Sequence, residues 1–123
     1  MLALVVDDSR AMRSILTRLM TELGFEVVQA GDGAEALAEL DAGTRPDVVL
    51  VDWNMPVMDG LTFIKSVRTR SGLRGMTIMM VTTESEQGQI VRALAAGAHE
   101  YVIKPFTAEV IEAKLALLGL VAA

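Results

Sequence analysis

The chain has 123 residues, enough for one compact domain and too few for a second of ordinary size. With 52% hydrophobic and 22% charged residues it can fill a core, which argues against a disordered majority. A net charge of −5 disfavours direct nucleic-acid binding, no apolar run approaches the ~20 residues of a bilayer span, and the lack of cysteine excludes disulfides, thiolate metal sites and cysteine nucleophiles.

Leu2–Val6 opens the chain as a continuous apolar run, the mark of a strand buried on both faces. No basic region precedes it, so no signal peptide is expected; the short apolar runs give no membrane partner, and the lack of cysteine accords with an expected cytoplasmic address. Met12, Ile15, Leu16, Leu19 and Leu23 then recur at three- and four-residue steps, predicting a helix with one apolar stripe that Gly24 ends. Phe25–Gln29 carries polar Glu26 and Gln29 and predicts an edge strand. A second helix is predicted from Asp32, which has capping-box spacing to Glu35, with Ala34, Leu37 and Leu40 facing inward and Gly43 and Pro46 closing the unit. Val48–Val51 predicts a buried third strand, and Leu61, Ile64 and Val67 mark a third helix. Thr77–Val81 predicts a fourth strand, Ile90, Val91 and Leu94 a fourth helix, Tyr101–Ile103 a short edge strand, and Val110, Ile111, Leu115 and Leu118 a fifth helix. Strands alternating with helices predict an α/β domain, a parallel sheet covered on both faces. No repeat or linker interrupts residues 1–123, read as a single domain.

In open parallel sheets the ligand crevice lies beyond the carboxyl ends of the strands. The residues at those places are polar: Asp7 and Asp8 after the first strand, Asp52 and Asn54 after the third, Thr82, Thr83 and Glu84 after the fourth, Lys104 and Pro105 after the fifth. A strand order 2-1-3-4-5 would bring them to one rim, and three crowded carboxylates require either a proton or a cation among them. A hard divalent ion such as Mg²⁺ suits carboxylates, a carbonyl and waters. Mg²⁺, a lysine and a threonine hydroxyl around one carboxylate match what phosphoryl transfer requires, and aspartate can act as nucleophile by forming an acyl phosphate.

On Asp7-Asp8, Asp52, Thr82 and Lys104-Pro105 in that order, the whole chain resembles the receiver domains of bacterial two-component response regulators. Asp52-Trp53-Asn54-Met55-Pro56, Met58-Asp59-Gly60 and Lys104-Pro105-Phe106-Thr107 make it most similar to the single-domain CheY-type chemotaxis regulators. The resemblance implies a flavodoxin-like (βα)5 doubly wound fold, and the 2-1-3-4-5 order is taken from it, CheY being the standard example of that order. It implies no effector domain. It also implies that Asp52 accepts phosphate from a histidine kinase, CheA-like in this case, and that Asp7, Asp8, Asp52 and the main-chain carbonyl of Asn54 hold one Mg²⁺. Thr82 and Lys104 would contact phosphate oxygens, Tyr101 would move inward as Thr82 shifts, Asn54 and Glu84 would tune dephosphorylation, and Lys104-Pro105 would be a cis peptide. Such a protein is not a conventional enzyme, although it catalyses its own phosphorylation and autodephosphorylation. Output is expected through Gln87, Ile90, Leu94, Tyr101 and Lys114 to a flagellar motor switch or another protein, with a phosphatase as a further candidate partner.

Simpler readings exist for each residue alone. An Asp-Asp pair after a strand usually caps a helix, although Ser9 can do that here, and Thr83 with Glu86 has capping-box spacing. A calcium loop starting at Asp52 fails, because Val57 and Phe63 stand where glycine and glutamate are needed. His99, near the predicted end of the fourth helix, is given a solvated or C-capping place and no function. The eight methionines are expected to fill core gaps, with Met55 and Met58 near the site able to adapt a docking surface. Alternatives for the whole chain are a phosphorelay or stand-alone regulator of another pathway, a phosphate-independent binding module of the same fold, and a metal-dependent phosphohydrolase. The last would want a substrate pocket or lid that no insertion supplies.

Overall fold

The computed structural model describes residues 1–83 and 87–122, Gln87 by its backbone alone. Five strands, β1 (Leu2–Val6), β2 (Glu26–Ala30), β3 (Val48–Val51), β4 (Ile78–Thr82) and β5 (Glu100–Ile103), alternate with α1 (Arg10–Glu22), α2 (Gly33–Asp41), α3 (Gly60–Arg68), α4 (Gln87–Ala96) and α5 (Ala108–Leu117). The strands are parallel in the order β2-β1-β3-β4-β5, as expected.

The period-2 alternation of strand side chains divides the core in two. Leu4, Val6, Val49, Val51, Ile78 and Met80 point to the face covered by α2, α3 and α4, where Leu40, Phe63, Ile64 and Ala93 meet them. Ala3, Val5, Leu50, Met79 and Val81 point to the other face, where Leu16 and Met20 of α1 and Ile111 and Leu115 of α5 cover them. Central β1, β3 and β4 are therefore buried on both sides, and β2 and β5 form the edges.

Local chemistry sets most boundaries. The Ser9 hydroxyl accepts from Met12 N–H at 3.2 Å and starts α1, which leaves the adjacent acidic pair free of that task. Gly24, at φ 95°, ends the helix, with Phe25 N–H donating to the Met20 carbonyl. Asp32, Asp59 and Thr107 cap α2, α3 and α5 in the same manner as Ser9.

Several expectations need correction. Phe25 is buried in the turn, and β2 starts one residue later. Ala34 is exposed, and Ala36 takes the inward place because the apolar face of α2 follows positions 33, 36, 37 and 40. Ile15 lies 52% exposed, and Met20 completes the buried stripe of α1 instead. β4 runs one residue further than expected, because Lys104 N–H donates to the Thr82 carbonyl at 2.7 Å and extends the pairing.

His99 does not cap α4. Its Nδ1 accepts from the Ile78 N–H at 3.1 Å, closing the start of β4. Burial, and then the neighbouring charge of Arg68, push its pKa below the ordinary value, which keeps that acceptor neutral. Arg68 itself donates to the carbonyls of Arg74 at 3.0 Å and Gly97 at 2.5 Å, tying the end of α3 to the loops that flank β4 and α4.

Candidate phosphoacceptor site

The strand order brings the ends of β1, β3, β4 and β5 to one rim, and the expected side chains gather there. Asp7, Asp8 and Asp52 each offer a carboxylate oxygen within 4.8 Å of the others. Asp7 is 1% and Asp52 8% exposed, whereas Asp8 faces solvent. Lys104 Nζ lies 3.0 Å from Asp7 Oδ2 and 3.6 Å from Asp52 Oδ2, so one ammonium serves two carboxylates.

Asp7 is held on every side. Its Oδ1 accepts from Ser9 N–H at 2.9 Å, its Oδ2 from Lys104, and its carbonyl from Arg13 Nη1 at 2.6 Å. The Asp52 carboxyl has fewer partners and is pushed up to about 6, chiefly by burial. Lys104 and a main-chain hydrogen bond from Asn54 pull it down, and the charges of Asp7 and Asp8 raise it further. Three oxygen donors of hard character, facing an open side at Asp8, fit a small divalent cation such as Mg²⁺.

Asn54 is exposed on the loop that follows β3. At the tip of that loop Val57 has φ 69°, with Met58 N–H donating to the Pro56 carbonyl at 2.7 Å across it. The loop returns so tightly that a Cβ at Gly60 would collide with the Asp52 carbonyl oxygen. Gly60 and Arg13 thus help position the site, Gly60 being marked in the sequence only as part of Met58-Asp59-Gly60. Gly60 had a detectable signal, a glycine directly after a helix-capping aspartate; Arg13 had none, since its target is a backbone atom.

Thr82 is buried at the end of β4 and borders a cavity of about 10 Å³ with Trp53, Met80, Gln89, Ile90 and Tyr101. Tyr101 is half-buried, with Lys114 Nζ 4.7 Å from its ring centre and paired to Glu100 at 2.9 Å. Ile90 is half-buried and borders the same cavity, and Val91 and Leu94 are exposed large apolar residues of α4. Glu84, the Glu86 half of the Thr83–Glu86 capping box and the Gln87 side chain lie outside the described residues. The Lys104–Pro105 peptide is cis, as expected.

Residues 3–116 match the model of the response regulator receiver domain. This chain belongs to that family. The receiver domain is 44% identical to the chemotaxis protein CheY1 of Helicobacter pylori (strain ATCC 700392 / 26695) over 91% of each chain. It superimposes on the chemotaxis protein CheY4 of Vibrio cholerae with a TM-score of 0.88 at 38% identity, covering 94% of this chain and 96% of that one. It also resembles the receiver domain of the sensor histidine kinase PA1611 of Pseudomonas aeruginosa PAO1, solved with magnesium in the active-site cleft (TM-score 0.86, 27% identity, 94% of each chain). As a CheY-like receiver it is a component of two-component signalling, with the flavodoxin-like fold expected of one.

Proposed function

We propose that this receiver is a phosphoacceptor switch in which Asp52 takes a phosphoryl group from the phosphohistidine of a CheA-like kinase. An Asp52 carboxylate oxygen attacks phosphorus, a P–O bond forms, and the P–N bond breaks with its electron pair returning to the imidazole. The observation that carries this reading is the meeting of three carboxylates with the Lys104 ammonium at the carboxyl end of the sheet. Asp7, Asp8, Asp52 and the Asn54 main-chain carbonyl would hold Mg²⁺, which when bound neutralises charge on both the carboxylates and the transferred group. Lys104 and the Thr82 hydroxyl bind the phosphoryl oxygens, and Asn54 and Glu84 set the rate at which water removes the group.

Phosphorylation adds roughly 1.5 to 2 negative charges beside Thr82, enough to bias an element whose two states differ by a few kcal/mol. Tyr101 moves inward in response, and the α4–β5–α5 face, with Gln87, Leu94, Tyr101 and Lys114, carries the message. The CheY1 relative is a chemotaxis protein, which supports a chemotactic pathway in the cytoplasm with a flagellar motor switch as target. Replacing Asp52 by alanine is expected to abolish labelling by acetyl phosphate in the presence of Mg²⁺. Stoichiometric incorporation into that variant would refute Asp52 as the acceptor.

A further inference from the structure

The three rim carboxylates are not held alike. Asp7 and Asp52 are buried and share the Lys104 ammonium, whereas the Asp8 carboxylate faces solvent and has no side-chain hydrogen bond or ion pair among the described residues. Solvent satisfies its oxygens without aiming them, so its direction is set by the main chain that carries it. Mg²⁺ demands near-ideal octahedral geometry, which makes that direction matter.

The main chain around Asp8 is pinned from α1. Arg13 Nη1 donates to the Asp7 carbonyl at 2.6 Å, a charge-assisted bond on the peptide unit that joins Asp7 to Asp8. The backbone N–H of the same arginine donates to the Ser9 carbonyl at 2.9 Å. Arg13 therefore holds the carbonyls of the residues on both sides of Asp8, one with its side chain and one with its backbone. Gly31, just past β2, leaves room for the guanidinium: a Cβ there would stand 3.6 Å from Nη1 and 3.0 Å from Glu35 Oε2. The arginine acts on a cation at the rim in two ways, since its charge repels the ion and its grip on the peptide favours it. The two effects have opposite signs, so an experiment can separate them.

We propose that Arg13 is a positioning residue for Asp8: by fixing the Asp7–Asp8 peptide it aims the solvent-facing carboxylate at the cation site and so sets how tightly the rim holds Mg²⁺. This rests on the proposed function, which makes Asp8 a ligand of that ion, and adds the group that keeps the ligand in place before the ion arrives.

Arg13 is half-buried, and Arg13→Met keeps a long, unbranched, helix-favouring side chain, so the variant folds while losing both charge and donor. Mg²⁺ titrations followed by Trp53 emission and by the amide shifts of Asp7, Asp8 and Asp52 should give a Kd roughly tenfold weaker than the wild type, the scale of loss when a group supporting a metal ligand is removed. Removing a repelling charge alone would tighten binding, so a Kd that is unchanged or lower overturns the proposal. In chelator, with no ion present, the order parameter of the Asp8 amide should fall from about 0.85 towards about 0.6 while that of Asp52 stays as it was. An Asp8 amide as rigid as in the wild type would overturn the assignment to Asp8 even where Mg²⁺ binding is weaker. A wild-type protein whose rim amides and Trp53 emission both ignore Mg²⁺ would remove the metal reading itself, and this proposal with it.

Discussion

Asp52 is buried beside two other carboxylates and has one shared ammonium for compensation. Its raised pKa has a direct cost in stability. The protonated form suits the fold, so its contribution is complete below the ordinary value of 3.8 and is lost as pH climbs through about 6. The difference corresponds to about 3 kcal/mol on the scale of 1.36 kcal/mol per pKa unit. Asp52→Asn, which carries no charge at any pH, should therefore be more stable than the wild type by up to ~3 kcal/mol at pH 7.5 without Mg²⁺, and the gap should close towards pH 4. Urea unfolding in chelator at the two pH values measures this, and equal stabilities at pH 7.5 would contradict it. The rim residues could be picked out in the sequence because Asp7, Asp8, Asp52 and Lys104 follow strands and Thr82 ends one, so the 2-1-3-4-5 order gathers them although each alone has a simpler reading. Arg13 was not legible, since its target is a main-chain oxygen that spacing along a helix does not record.

At the scale of elements, helices declared themselves through caps and stripes, and the errors came where packing overrode the pattern. Ile15 fits the apolar period of α1 and still faces outward beside Phe106, because Leu16 and Met20 already fill the space against the sheet. The loop between β3 and α3 shows the opposite case, a conformation the sequence opposes. Val57 is β-branched, 83% exposed and left-handed, a combination that costs on the order of 1–3 kcal/mol. Val57→Gly should stabilise the protein by about 1 kcal/mol after the added entropy of the unfolded glycine is subtracted. Chemical denaturation of the variant would show it, and a loss of stability would mean that the backbone there is unstrained.

For the molecule as a whole, carboxylate repulsion at the rim makes stability dependent on what occupies it. A cation that binds the folded chain and not the unfolded one at a hundredfold excess over its Kd adds ~2.7 kcal/mol. For a domain of this size that is a rise in Tm on the order of 10 °C. Mg²⁺ should produce it in the wild type and fail to in Asp52→Ala; a wild-type Tm indifferent to Mg²⁺ would count against the ion.

The opposite end of the molecule is secured by other means. Arg68 holds the Gly97 carbonyl, and Ala98 N–H folds back on the Ala93 carbonyl at 3.0 Å, so α4 is moored where it ends and borders the phosphoacceptor rim where it begins. A rigid rod of ten residues, ~15 Å long, pivoting on that mooring moves its far tip by roughly 1 Å for a rotation of about 5°. If phosphorylation tilts α4, the guanidinium would act as the fulcrum of a lever whose stroke is largest at the phosphoacceptor end and vanishes at the other. Beryllofluoride should then alter amide exchange at Gln89 and Ile90 and leave Gly97, Ala98 and His99 as they were. Equal changes along the whole helix would mean that it slides rather than tilts.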